Sequence, residues 1–168
     1  MEASFDCELV VMQGEKATVQ VTLALGPGHH PAAAAVKIKL CYPHGIVVAD
    51  GATERGYLPR FAEELHRLAV GQSEEAVLAD WDSELLLTLQ ALGPGAESVS
   101  MGGEFRDYLG DTGSGWARDE YLTRTLGSFQ LVTAFQGLLV TRQDVSRLAE
   151  LVQGFLESSS AEPEGGLP

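Results

Sequence analysis

Apolar and polar residues alternate along the first part of the chain with the period of two that is typical of half-buried β-strands. This alternation predicts a first strand over residues 5–11 and a second over residues 17–25, joined as a hairpin by a turn that contains Gly14. A third strand is predicted over residues 36–40, and we expect it to resume at Ile46 after a Pro-containing break.

The second part of the chain predicts two helices with strands between them. Pro59 suits an early helical position, and the apolar residues that follow share one face until Gly71 ends the helix. A second helix is predicted to begin at Thr141, where Asp144 forms a capping-box-like pair with it, and its apolar stripe extends to Phe155. The strands between the helices are predicted over residues 76–81, 84–91, 99–108 and 127–136.

These elements indicate an α+β fold in one domain. Short turns between neighbouring strands favour an antiparallel meander of about six to seven strands, with both helices on one face of the sheet in a two-layer sandwich. No internal repeat is visible in the sequence. From residue 157 the chain turns to Ser, Glu, Pro and Gly, so we expect a single domain over residues 1–156 and a flexible polar tail over residues 157–168.

The charge balance changes the expected partners. The 168 residues include 24 acids and 11 bases, which gives a formal net charge of -13. Nucleic-acid binding relies on clustered Lys and Arg, so we expect no nucleic acid as a partner. An acidic surface serves solubility and would also suit a basic protein partner. An open edge strand would allow a homodimer.

Cysteine usage and hydropathy indicate a cytoplasmic protein. The two cysteines, Cys7 and Cys41, lie in alternating apolar runs and do not form the framework of a disulfide-rich secreted domain. The first residues carry no basic region of a signal peptide, and no stretch approaches the roughly 18 apolar residues of a membrane span, so we expect no membrane association.

One motif suggests catalysis. Asp111-Thr112-Gly113-Ser114 matches the signature of aspartic proteases, in which two carboxylates share a proton and activate water. Here a glycine precedes the aspartate, and the chain offers no second copy of the motif, so a flexible turn explains the same residues. A small hydrolase that uses Asp111 remains an alternative.

Metal and cofactor sites are not predicted. Cys41 and His44 are three residues apart, but a closed zinc site needs four ligands, and no second pair of ligands is recognisable. The acids of residues 107–120 lack the spacing of a calcium loop. No phosphate-binding glycine loop with a lysine is present either, so we expect no metal, no cofactor and no catalytic residue.

The second half of the chain resembles a known family. Five features carry the resemblance: the run Trp81-Asp82-Ser83-Glu84-Leu85-Leu86-Leu87-Thr88-Leu89, a Gly-containing turn, the strand of residues 99–105, Trp116 and the closing helical run of residues 145–151. Together they are similar to the pattern of the small bacterial immunity proteins of the WapI-like group and their uncharacterised relatives. The resemblance covers residues 57–156. The insert of residues 107–124 has no counterpart in the family pattern.

This resemblance implies a non-catalytic protein-binding module that neutralises a toxin domain by occlusion. The partner would then be a basic protein such as a toxin domain, and the acidic balance would steer the association. A self-associating structural domain is a further alternative. The residues that we predict to contact the partner are the acids of the insert with one apolar anchor: Asp107, Asp111, Trp116, Asp119 and Glu120.

Overall fold

The computed structural model describes residues 5–13, 17–28, 30–79, 85–108 and 130–160. The first four strands form an antiparallel meander, which we call sheet 1, in the order in which they follow one another along the chain. These strands are β1 (Phe5–Gln13), β2 (Ala17–Pro27), β3 (Ala33–Tyr42) and β4 (Gly45–Glu54).

A second meander follows after a helix. A short 3₁₀ turn (Arg55–Tyr57) leads into α1 (Leu58–Ala69), and α2 (Arg142–Ser160) ends the described part of the chain. The strands between the helices form a second antiparallel sheet, sheet 2, again in sequence order. They are β5 (Glu75–Ala79), β6 (Leu85–Ala91), β7 (Ser98–Tyr108) and β8 (Gln130–Thr141).

The chain is therefore built from two units of four strands and a helix. The first residue after each meander is an arginine, Arg55 or Arg142, and the two make matching bonds. The backbone N–H of Arg55 donates to the Ala32 carbonyl at 2.8 Å, and that of Arg142 donates to the Glu97 carbonyl at 3.1 Å. Both acceptors directly precede the third strand of their unit. The repeat lies in the order of elements rather than in the residues, so the sequence does not show it.

Each of these arginines also reaches the helix of the other unit. The Arg55 guanidinium lies over the ring of Phe155 in α2, with its central carbon 5.6 Å from the ring centroid. Arg142 donates through a guanidinium nitrogen to the Leu68 carbonyl near the end of α1 and through Nε to the Ala96 carbonyl at 2.6 Å. The two arginines thus tie the two units together.

One hydrophobic core joins both sheets and both helices. Alternate side chains of β2, β3, β5, β6 and β7 point into it, as the period-two pattern requires. The sheets approach closely at Gly51, where a Cβ atom would lie 3.3 Å from Cδ1 of Phe105 and 3.4 Å from Leu85. An alanine at this position of β4 would require the Phe105 or Leu85 side chain to shift slightly.

The helix ends follow the signals in the sequence. Pro59 lies in the first turn of α1, and Gly71 ends the helix with a φ of 77°. The Gly71 and Gln72 amides donate back to the Leu68 and Arg67 carbonyls, which forms a Schellman motif. At the start of α2 the Thr141 amide donates to Oδ2 of Asp144 at 3.0 Å, and the Asp144 amide donates to Oγ1 of Thr141 at 3.1 Å. The predicted capping-box-like pair is confirmed.

The fold confirms the α+β class and corrects its details. The predicted single meander of six to seven strands is replaced by two four-stranded sheets, because the strands after α1 pair only with one another. The third strand does not resume at Ile46: the chain reverses at the break, and β4 returns antiparallel to β3. α2 runs to Ser160, past the domain boundary expected at residue 156. Among the described residues, no helix has the length and apolarity needed to span a membrane.

Candidate binding surface

The β3–β4 hairpin has an exposed apolar tip, residues 42–48. Tyr42 and Gly45 close a two-residue turn, and Pro43 excludes the type I′ and II′ forms, because its ring prevents the positive φ that they need at the first position. The Tyr42 ring lies over Gly45, where a Cβ atom would come within 3.0 Å of the tyrosine hydroxyl oxygen. Glycine at this position lets the aromatic ring fold against the turn.

Both faces of this hairpin tip are accessible to solvent. Ile46 and Val48 lie on the outer face of β4, with 63% and 53% of their surfaces exposed. Tyr42 follows Leu40 at a spacing of two residues, so it belongs to the opposite face, yet 42% of its surface is exposed. Leu40 itself is buried in the core. The hairpin tip therefore projects beyond the core.

Basic side chains lie beside the apolar ones on the outer face. Lys37 and Lys39 are exposed on β3, and Lys39 is the cross-strand neighbour of Val48. The whole chain contains only one other lysine, Lys16. The outer face is not uniformly basic, since Asp50 is the cross-strand partner of Lys37 and Glu54 is exposed farther along β4.

At alternate residues of β4, the backbone N–H and C=O groups point away from β3, toward the open edge of sheet 1. The Arg55 amide bonds to Ala32, one step beyond the last ladder pair, Ala33 with Glu54. Bonded and non-bonded pairs alternate in an antiparallel ladder, so the odd-numbered residues of β4 bond to β3. The N–H and C=O groups of Ile46 and Val48 therefore point away from β3.

The other outer strands of the two sheets have neighbours at their edges. In β5 the Val77 amide donates to Oε2 of Glu64 on α1 at 3.2 Å, so a side chain of the helix occupies that edge. Arg60 holds the same Glu64 side chain through a 2.8 Å bond. β1 and β8 lie next to each other, where the two sheets meet. In the described part of the chain, β4 is thus the outer strand with an exposed apolar edge.

The residues predicted as the contact site cannot be placed together. Asp111, Trp116, Asp119 and Glu120 lie outside the described residues, and so does the whole Asp111-Thr112-Gly113-Ser114 motif. Asp107 lies in β7 with its backbone paired with Leu131, and its side chain is not described. The predicted partner contacts and the alternative hydrolase therefore stay predictions.

Metal ligation has no support in the described residues. Cys41 is a half-buried free thiol on β3, and His44 lies in the turn beyond it. Within the ranges that the structure describes, no group of three or more His, Cys, Asp or Glu side chains is arranged to hold a metal ion.

Comparison with known proteins gives one distant structural likeness. No protein-family model and no curated protein matches the sequence. A solved structure of a guide-RNA-binding protein complex bound to a gRNA matches over 96% of this chain and 94% of that chain. The two chains are 11% identical, with a TM-score of 0.46.

This comparison corrects the expected set of partners. From the net charge we excluded nucleic acid, and the matched protein belongs to a complex bound to a gRNA, so the exclusion is withdrawn. The physical error lies in the use of a sum over the chain, because a net charge of -13 does not describe any single face of the molecule. At this distance the likeness assigns no ligand to the chain.

The hairpin tip was missed as a site because β4 was read as a continuation of the third strand. A signal for it was present in the sequence. The β-branched run Ile46-Val47-Val48 directly after Pro43-His44-Gly45 also fits a new strand that follows a short turn. The exposure of Ile46 and Val48 follows from their place on the outer face of sheet 1, which an apolar run does not reveal.

Proposed function

We propose that this chain is a non-catalytic protein-binding module that binds its partner through the hairpin tip. The observation that carries the proposal is the exposure of Ile46 and Val48 on a strand that also leaves its edge open. Large β-branched side chains exposed together on an edge strand invite association, and natural sheets usually protect such edges with charge, proline or a covering segment.

A polypeptide is the partner that this surface suits best. Protein interfaces combine an apolar centre with a polar rim, and aromatic residues are enriched in them. The hairpin tip offers Ile46 and Val48 as the centre, Tyr42 on the adjoining face and Lys39 at the rim. No reaction is required of any of these groups.

The finer form of the proposal is that the partner is a toxin domain, which the module neutralises by occlusion. The resemblance of residues 57–156 to WapI-like immunity proteins supports it. In that case the toxin gene is expected beside the gene for this chain, and the module needs only to cover the active cleft of the toxin.

The test is a titration of the product of the neighbouring gene against the purified chain and an Ile46→Ser/Val48→Ser variant. Burying an Ile or Val side chain contributes about 1.5–3 kcal/mol, and roughly half of each surface is exposed here, so the double change removes about 2 kcal/mol, or roughly thirtyfold in affinity. For the toxin form, growth of cells that express the neighbour is scored in parallel.

A matched control removes one exposed apolar side chain from β8 of sheet 2 and one from the turn that follows β6. Leu92 and Val132 are 57% and 48% exposed, and a Leu92→Ser/Val132→Ser variant should bind with the affinity of the parent chain. Equal affinity of the parent and the hairpin-tip variant would contradict the proposal. Loss of binding in the control variant alone would place the surface on sheet 2.

A further inference from the structure

The geometry points to strand addition at β4 as the binding mode: an extended segment of the partner pairs with the open edge of β4 at the hairpin tip and becomes the fifth strand of sheet 1. This inference rests on the proposed function and names the form that the partner must take. Its occupant is a β-strand of another polypeptide.

The backbone of β4 supplies the specific evidence. Because the odd-numbered residues bond to β3, the N–H and C=O groups of Ile46 and Val48 present two donors and two acceptors at the spacing of an antiparallel or parallel ladder. An extended peptide has matching groups at the same spacing, whereas the bases and phosphates of a nucleic acid do not repeat in this way.

The fold limits where the added strand can lie. At Gly51 the side chains of Leu85 and Phe105 approach the inner face of β4, so inward-pointing residues of an added strand would meet sheet 2 there. Near Val47, which is only half-buried, both faces have room. The added strand is therefore centred on residues 46–48 and forms about four backbone hydrogen bonds.

The side chains around the edge set the chemistry of the partner segment. Next to Ile46 and Val48 the added strand would place apolar, β-branched residues on the outer face, where cross-strand pairs of such residues are favourable. Farther along β4, the exposed Glu54 favours a basic residue.

Two substitutions at one position separate strand addition from simple apolar contact. Val48→Pro keeps an apolar ring and removes an N–H that makes no ladder bond to β3, so sheet 1 tolerates it. Val48→Ala keeps the N–H and removes most of the apolar surface. Strand addition predicts that the proline variant loses about tenfold in affinity for the neighbouring gene's product and that the alanine variant loses less.

The outcomes for the two proposals differ. If alanine weakens binding more than proline, strand addition fails while the hairpin tip remains the binding surface. If neither change nor the Ile46→Ser/Val48→Ser variant alters the affinity, the proposed function fails as well. Circular dichroism and thermal unfolding of both variants show whether they are folded.

A synthetic probe gives a second test that does not depend on the natural partner. The probe is a short peptide of alternating valine and threonine with a lysine at each end, and the control peptide has prolines at its centre. Binding of the probe with slowed hydrogen exchange at the Ile46 and Val48 amides, and no binding of the control, is expected. Absence of protection at these amides, or binding of a single-stranded uridine oligonucleotide in place of the peptide, would overturn the inference.

Discussion

Replacement of Gly103 by alanine should destabilise the fold, because the space for a side chain is already filled by a ring. Gly103 is buried in β7 and pairs with Phe135 of β8. A Cβ atom would lie 2.5 Å from Cε1 and 2.8 Å from Cζ of Phe135, and 3.2 Å from Cε2 of Phe105. Carbon atoms in contact normally lie about 3.5–4.0 Å apart, so the ring must move by roughly an ångström.

The expected cost follows from two opposing terms. Overpacking of this kind costs about 1–3 kcal/mol, whereas replacing glycine in a strand recovers about 0.5–1 kcal/mol of chain entropy. Phe135 is only half-buried, so its ring can shift toward solvent, and the net loss should be about 1–2 kcal/mol. For a chain of this size that lowers Tm by about 3–6 °C.

Urea and thermal unfolding of Gly103→Ala measure this loss, with Gly26→Ala as the control. Gly26 also lies in a strand, but a Cβ atom there meets nothing within 4 Å, so its variant should match or slightly exceed the parent in stability. Adding Phe135→Leu to Gly103→Ala should recover about 1 kcal/mol through their coupling. A Gly103→Ala chain as stable as the parent would refute the reasoning.

Three further substitutions and one control test how the fold is held together. Arg142→Met should lower the free energy of unfolding in urea by about 2–3 kcal/mol, because two backbone carbonyls lose the charged guanidinium that donates to them. The control Arg147→Ala removes only an exposed ion pair of 3.6 Å and should cost less than about 0.5 kcal/mol. Thr53→Val should stabilise the chain by about 1 kcal/mol, because the buried Thr53 hydroxyl has no hydrogen-bond partner among the described residues; an unchanged or lower Tm would count against that reading. Asp144→Ala should cost about 1 kcal/mol, measured by chemical unfolding, because the Thr141 amide and hydroxyl lose their acceptor; no loss would mean that this half of the capping box makes no net contribution.

The helices could be predicted from sequence because their signals are local. Pro59 and Gly71 bracket α1, and Thr141 with Asp144 caps α2. The apolar stripe of α2 is buried along its length, from Val145 to Phe155. Each of these signals acts within a few residues of the chain, so no tertiary information was needed.

The division into two sheets could not be predicted in the same way. Alternation shows which residues share a face of a strand, but it does not show which strands pair across a helix. The strands on either side of α1 have the same pattern, and only tertiary packing separates them, for example at Gly51 against Leu85 and Phe105. The reversal at Pro43-His44 was missed because a break within a strand and a short turn have the same residues.

The binding surface shows the same division between local and tertiary information. The acids of the insert were predicted as partner contacts because charged residues can be recognised in a sequence. Exposure of Ile46 and Val48 is not visible there, since the same β-branched residues occupy the core positions of β2 and β3. What distinguishes Ile46 and Val48 is their place on the outer face of sheet 1, opposite the core.

Amide hydrogen exchange of the complex with the neighbouring gene's product tests the central claim most directly. With the free chain as reference, the account predicts that the partner slows exchange most strongly at the hairpin tip, residues 42–48, and leaves sheet 2 unchanged. Protection confined to sheet 2 or to the helices, with unchanged exchange at Ile46 and Val48, would contradict it.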